Sequence, residues 1–292
     1  MALDPRPFAG GEQRPPLVVR EFEFTQADFD RVRRLIYQRA GISLSPLKQD
    51  MVYSRLARRL RTLGLRTFVQ YLDQLERHGG SEWESFVNAL TTNLTSFFRE
   101  AHHFPILADH LRKHQGRPLR IWCCASSTGE EPYSLAMTVA ETFGSANVPV
   151  SIVASDVDTA VLATADKGYY VADRSDKVSD DRLRRFFTAD GQPPVGYRVK
   201  PELRRLVEFK HINLLDSRWP LTPGFDAIFC RNVMIYFDKP TQYAILSRFV
   251  PLLHPQGLLF AGHSESFVHA ADLFRPLGKT VYQLARAPAV AR

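Results

Sequence analysis

Hydrophobic positions change their period once along the chain. Between Glu21 and about Ser96 they recur every three or four residues. Val52, Leu56, Leu60 and Leu63 share a helical face, and Arg55, Arg58 and Arg59 fall on another. Gly41 and Gly64 stand where helices could end, and no run in this stretch alternates as a strand does. The pattern predicts a small all-helical domain over residues 21–96. Beyond Arg99, short apolar runs at 119–125, 150–158, 206–215, 225–237, 257–263 and 280–286 read as strands, with helices from Pro132 and through 240–253. Strands separated by helices predict a parallel sheet covered on both faces, occupying residues 97–292. A charged segment with Gly and Pro at 171–205 interrupts that rhythm as an insertion. Residues 1–20 lack the apolar stretch of a secretory signal and read as a disordered tail.

Composition adds limits. No apolar run approaches the roughly 18–20 residues a membrane span needs. Cys123, Cys124 and Cys230 form no CxxC pair and sit in apolar surroundings, as reduced core residues of a cytosolic protein would. Charge is unevenly spread. The whole chain carries a formal +7, yet residues 31–66 hold ten Arg or Lys against the single acid Asp50, a local +9. That segment is suited to an acidic partner: nucleic acid, an anionic membrane or an acidic protein surface.

Ligands of open parallel sheets bind beyond the carboxyl ends of the strands, so the residues following each strand carry the chemistry. After the first come Ser126-Ser127-Thr128-Gly129-Glu130-Glu131-Pro132. A dinucleotide site would place a glycine-rich turn and free helix amides here. Two carboxylates would instead repel phosphate and suit a cofactor with a cationic amine and no phosphate, such as S-adenosylmethionine. Pro132 suits the first helical position and would hold Glu131 extended, aimed at the cleft; complementing the helix dipole is the alternative role for both acids. After the second strand, Asp156 is placed to accept ribose hydroxyls, with Asp158 as competitor or helix cap. The third strand ends in Asn213-Leu214-Leu215-Asp216, a polar group beside apolar surface for a flat base. The fourth strand carries Arg231-Asn232 embedded in an otherwise apolar run, where a buried Arg demands a partner. Before the sheet, Asn93 and Arg99 lie about 240° apart on a continuous helix, so a break between them is needed to bring both to one site. Histidines 102, 103, 110, 114 and 263 lack carboxylate or cysteine neighbours at ligand spacing, so no metal is expected.

The segments TTNLTSFFRE, ASSTGEEPYSLA, ASDVDTAVL, NLLD, FDAIFCRNVMIYFD and GLLFAGHSESF occur in an order and spacing that resembles the CheR family, receptor glutamate O-methyltransferases of chemotaxis, across about residues 21–286. The resemblance implies a Rossmann-like S-adenosylmethionine-dependent methyltransferase sheet with a small N-terminal helical domain and an inserted antiparallel β-subdomain at 171–205. It implies cofactor contacts at Asn93, Thr95, Arg99, Glu131, Asp156, Asn213, Leu214, Arg231 and Asn232, with Arg99 and Tyr236 near the reacting methyl. It supplies acidic receptor helices as the partner of the basic segment through Arg55, Arg58 and Arg59, and a cytoplasmic location beside receptor arrays. In some members the insertion holds a receptor's C-terminal tether by strand addition, which Gly196-Tyr197-Arg198-Val199 leave open. Nucleic acid is the less favoured partner, because few aromatics interleave with the basic run and no NPPY-like motif follows the fourth strand. A non-catalytic module that binds cofactor and docks on a receptor array is the other alternative.

Overall fold

The computed structural model describes residues 20–191 and 195–285; the tail expected at the N-terminus lies outside the described residues except for Arg20. Four helices form the first unit: α1 (Gln26–Ala40), α2 (Gln49–Leu63), α3 (Phe68–His78) and α4 (Glu82–Leu90). Thr25 and Asp28 form a reciprocal capping box at the start of α1. Gly41 and Gly64 end α1 and α2 in left-handed geometry, as their positions predict. Val52, Leu56 and Leu60 are fully buried against Phe29, Phe68 and Tyr71. Leu63 departs from the predicted stripe. On the last turn of α2 it is 36% exposed, beyond the reach of the neighbouring helices.

Helix α5 (His103–Lys113) leads into a seven-stranded sheet. Its members are β1 (Leu119–Cys123), β2 (Val150–Asp156), β6 (Val207–His211), β7 (Phe225–Cys230), β8 (Leu253–Ala261), β9 (Phe274–Gly278) and β10 (Val281–Leu284), in the order β6-β2-β1-β7-β8-β10-β9. The first five are parallel, and β10 and β9 run antiparallel at one edge. The sheet is therefore mostly rather than wholly parallel. Strand β9 escapes sequence reading because Arg275, Pro276, Leu277 and Gly278 are exposed along it, so no apolar run marks it. Lys279 and Thr280, both at positive φ, form the two-residue turn to β10.

Helices α6 (Glu130–Phe143), α7 (Thr159–Lys167) and α10 (Lys239–Phe249) connect and cover the parallel strands. Alternate residues of β1 serve opposite faces: Ile121 and Cys123 join one core with Phe229 and Phe260, and Trp122 joins the other with Phe225 and Phe249. The three cysteines are free and buried. The insertion folds as a second sheet, β3 (Tyr169–Val171), β4 (Phe187–Asp190) and β5 (Gly196–Val199), antiparallel in the order β3-β5-β4, with short helices α8 (Asp180–Phe186) and α9 (Pro201–Arg204).

Five strands, β1, β2, β6, β7 and β10, are shorter than the apolar runs that announce them, and β6 and β7 fall shortest of theirs. Strand β6 stops at His211 and β7 at Cys230, so Asn213, Leu214, Arg231 and Asn232 sit in the loops just past the strand ends. Those loops face the helical unit. Ser43 N–H donates to the Tyr236 carbonyl at 2.8 Å, and Tyr37 Oη donates to Asp238 at 2.7 Å.

Candidate active site at the carboxyl ends of the strands

A cleft of about 360 Å³ opens between the strand ends and the helical unit, within the size range of small-molecule sites. Asn93, Thr95, Arg99, Glu131, Asp156, Asn213, Leu214, Arg231, Asn232 and Tyr236 all line it. Ile42, Leu44 and Lys48 close the opposite wall. Ten residues spread over more than 140 positions of sequence thus converge: seven because the parallel strands all end on one edge, and Asn93, Thr95 and Arg99 because the segment before the sheet crosses that edge.

The loop after β1 enters α6 through Gly129, whose φ of 97° is left-handed. A Cβ there would come within 2.6 Å of Tyr170 Oη, so both conformation and space ask for glycine. Helix α6 starts at Glu130, which corrects the sequence expectation: Glu131 lies inside the first turn, and Pro132 is its third residue. First-turn amides have no intrahelical acceptor, so a proline there removes no helix bond and leaves Glu131 helical. Glu130 is also more than a dipole complement. Buried, it takes a hydrogen bond from Thr128 and an ion pair from Arg174 at 2.6 Å.

Glu131 and Arg231 form a buried pair at 2.8 Å. Burial pushes the Glu131 carboxyl upward against the pull of the Arg231 charge. Among the described residues only the Cys123 thiol, at 3.4 Å, donates to its second oxygen, which leaves that oxygen able to receive a cationic group. Arg231 also meets Glu100 at 3.3 Å and donates to the Arg99 carbonyl, the partners that a buried Arg requires.

Asp156 and Asp158 divide their work. Asp158 caps α7 through the Ala160 and Val161 amides and accepts from Thr91 and Asn93 at 2.8 and 2.7 Å. Asp156 faces the cleft; it accepts the Ser127 amide at 2.8 Å and the Asp158 amide at 3.0 Å. Burial raises its pKa to about 6, with those amide bonds opposing the rise.

Residues 91–96 form no helix, so the break required between Asn93 and Arg99 is a whole irregular segment. Arg99 then turns back and donates to the Leu94 carbonyl at 2.8 Å. Asn213 bridges the two units, donating to the Arg39 carbonyl at 2.8 Å and accepting the Leu215 amide.

Two acids that sequence reasoning passed over hold this arrangement. Glu265 accepts the amides of Asn232, Val233, Met234 and Gly262, which fixes the loop after β7 and the positive-φ Asn232. Glu100 contacts Arg231, Asn232 and both the amide and ring of His263. Burial opposes its ionisation, but the His263 hydrogen bonds and the Arg231 charge hold its pKa at about 2. Glu100 was accessible to the argument that a buried Arg needs acids. No pattern marks Glu265, whose role depends on backbone geometry.

The basic segment changes most on folding. Arg31 pairs with Asp73 and Glu76, Arg61 with Glu21, and Arg59 with Glu82 at 2.6 Å. Arg55 donates to the Ala89 and Thr91 carbonyls. Of the three arginines assigned to docking, Arg58 alone is exposed and makes no ion pair among the described residues. No group of three or more metal-type side chains occurs among the described residues, and no helix there is long and apolar enough to cross a membrane.

The donor set fits S-adenosylmethionine. Carboxylates stand at the β1 and β2 ends, and Val157, Ile212 and Leu214 supply apolar wall beside them. Residues 93–283 match the CheR methyltransferase, SAM binding domain, and residues 27–91 the CheR methyltransferase, all-alpha domain. Chemotaxis protein methyltransferase 2 of Pseudomonas aeruginosa is 55% identical over 266 residues, covering 90% of this chain and 95% of that one. The chemotaxis protein methyltransferase of Escherichia coli is 54% identical, covering 90% and 92%. That of Salmonella typhimurium is 52% identical, covering 92% and 94%. From strand order through cleft to sequence match, the chain belongs to the CheR methyltransferase family.

Proposed function

We propose that the chain methylates glutamate side chains on cytoplasmic, acidic helices of chemotaxis receptors, working in the cytoplasm beside receptor arrays and releasing S-adenosylhomocysteine. The observation that carries this is the convergence of all ten expected site residues on one cleft. When bound, S-adenosylmethionine supplies an electrophilic sulfonium methyl, which the acceptor oxygen takes as the thioether leaves. Asp156 would accept the ribose hydroxyls, Glu131 would pair with the amine through the oxygen that only the Cys123 thiol meets among the described residues, and Asn213 and Leu214 would meet the base. Asn93, Thr95, Arg231 and Asn232 complete the binding wall. A glutamate carboxylate titrates near 4.3 and is ionised at neutral pH, so the chain has no proton to remove. Its remaining tasks are alignment and exclusion of water. Arg99 and Tyr236 orient the acceptor carboxylate.

On the basic helix, Arg58 meets the receptor directly. Arg55 and Arg59 hold α2 in place against α4 and the Thr91 carbonyl. Strand β4 lies at an edge of the inserted sheet, the position that strand addition of a receptor tether uses. Labelled S-adenosylmethionine and receptor-bearing membranes test the proposal. Base-labile label on receptor glutamates is expected, and base-stable label or label on nucleic acid would overturn it. Tyr236→Phe should slow the single-turnover rate; an unchanged rate removes Tyr236 from the reacting centre.

A further inference from the structure

Three exposed aliphatic side chains belong to segments that border the cleft. Leu47 is 92% exposed, Leu94 78% and Ile235 50%. They come from three separate segments: the turn Pro46–Lys48, the irregular stretch 91–96, and the turn Met234–Tyr236. Leu94 and Ile235 line the cleft themselves, and Leu47 is adjacent to Lys48, which also lines it. Single exposed aliphatics are ordinary on a protein surface, but three on segments bordering one opening suit that rim to contact. The cleft interior, about 360 Å³, is too small to enclose a polypeptide beside a cofactor, so most of an acceptor polypeptide must lie outside it, against the rim.

We propose that Leu47, Leu94 and Ile235 form an apolar collar that seats an amphipathic helix, with apolar side chains one turn before and after the reacting glutamate. The proposal rests on the glutamate reading above and adds what selects among glutamates. On a helix, residues three or four apart share a face, so an acceptor carboxylate entering the cleft brings its i±3 and i±4 neighbours onto the collar. Lys48 and Arg99, also lining the opening, complement acidic residues on the same face. A glutamate flanked only by polar residues on that face would enter the same cleft without desolvating the collar and would be a poor acceptor.

The test measures methyl transfer to receptor-bearing membranes as a function of receptor concentration. It compares the intact protein, Leu47→Ser, Leu47→Ser with Ile235→Ser, and the conservative pair Leu47→Met with Ile235→Leu. The expected result is a roughly tenfold rise in receptor KM for the double serine variant, a smaller rise for Leu47→Ser, and recovery in the conservative pair. Affinity for S-adenosylhomocysteine, read by calorimetry, should stay unchanged in Leu47→Ser, which lies outside the cleft wall and reports any misfolding. A receptor KM within twofold of the intact protein in the double variant would overturn the collar. Base-stable label from the intact protein would instead overturn the glutamate reading, and the same KM comparison on whichever polypeptide is labelled would still decide the collar.

Discussion

Arg59 on α2 and Arg231 beyond β7 are each held by a carboxylate, at 2.6 and 2.8 Å, yet the two pairs differ in kind. The Arg59 side chain keeps 25% of its exposure and joins α2 to α4 in a pair that water still screens. Arg231 keeps 1% and lies between Glu131 and Glu100, each 10% exposed, where the charges depend on one another because little water screens them. An arginine near the surface can be lost at modest cost. One enclosed by strand ends cannot, and this separates a residue that shapes a domain from one that makes a site.

The contrast is broken most readily at Arg231. Arg231→Ala leaves two carboxylates facing each other without their cation and should destabilise the fold by about 3–5 kcal/mol in urea unfolding, with loss of cofactor binding. A loss below about 1 kcal/mol would mean that the pair is solvated.

Next in size is the pH dependence of the cleft. The Asp156 carboxyl titrates at about 6 folded against an ordinary 3.8. Between those values the folded chain holds a proton that the unfolded chain has lost, so this residue's contribution lowers stability as pH rises through the window. Cofactor affinity is expected to run the other way, because in the proposed site the ionised carboxylate takes the ribose hydroxyls. Affinity for S-adenosylhomocysteine should fall by up to about tenfold per unit below pH 6, and Asp156→Asn should flatten that slope in calorimetry. A flat profile in the intact protein between pH 7 and 5 removes Asp156 from the binding wall.

Smaller effects belong to the helical unit. Arg59→Ala should cost about 1 kcal/mol of stability through the loss of its paired hydrogen bonds to Glu82. Arg58→Glu should change stability by less than about 0.5 kcal/mol yet raise receptor KM, as befits an exposed charge that faces outward. If Arg59→Ala raised receptor KM with no loss of stability, the roles assigned to the two arginines would be reversed.

These regions also differ in how much of them the sequence discloses. The strand-end residues were legible because the rule that places ligands beyond parallel strands holds whatever the strands' exact lengths, so overestimating β6 and β7 did not misplace Asn213 or Arg231. The geometry of Glu131 was not, since it turned on where α6 begins within a two-residue margin. The charge of residues 31–66 was the least faithful signal. Asp73, Glu76, Glu82 and Glu21 lie outside that window in sequence and against it in space, and folding removes much of the local excess that a linear count reports. Glu265 was invisible for a different reason: its partners are four backbone amides, which carry no residue identity at all.

The bond from Asn213 to the Arg39 carbonyl, together with Ile42, Leu44 and Lys48 in the cleft wall, has a bearing on modular exchange. The helical unit does not merely accompany the sheet; it finishes the cleft proposed to hold the cofactor. A chimera with a helical unit taken from a distant relative would inherit that relative's wall, and its appetite for cofactor would shift even with every strand-end residue intact. A transplant intended to redirect receptor choice would therefore retune the chemistry's fuel supply as well, unless residues 39–48 travelled with the sheet rather than with the helices.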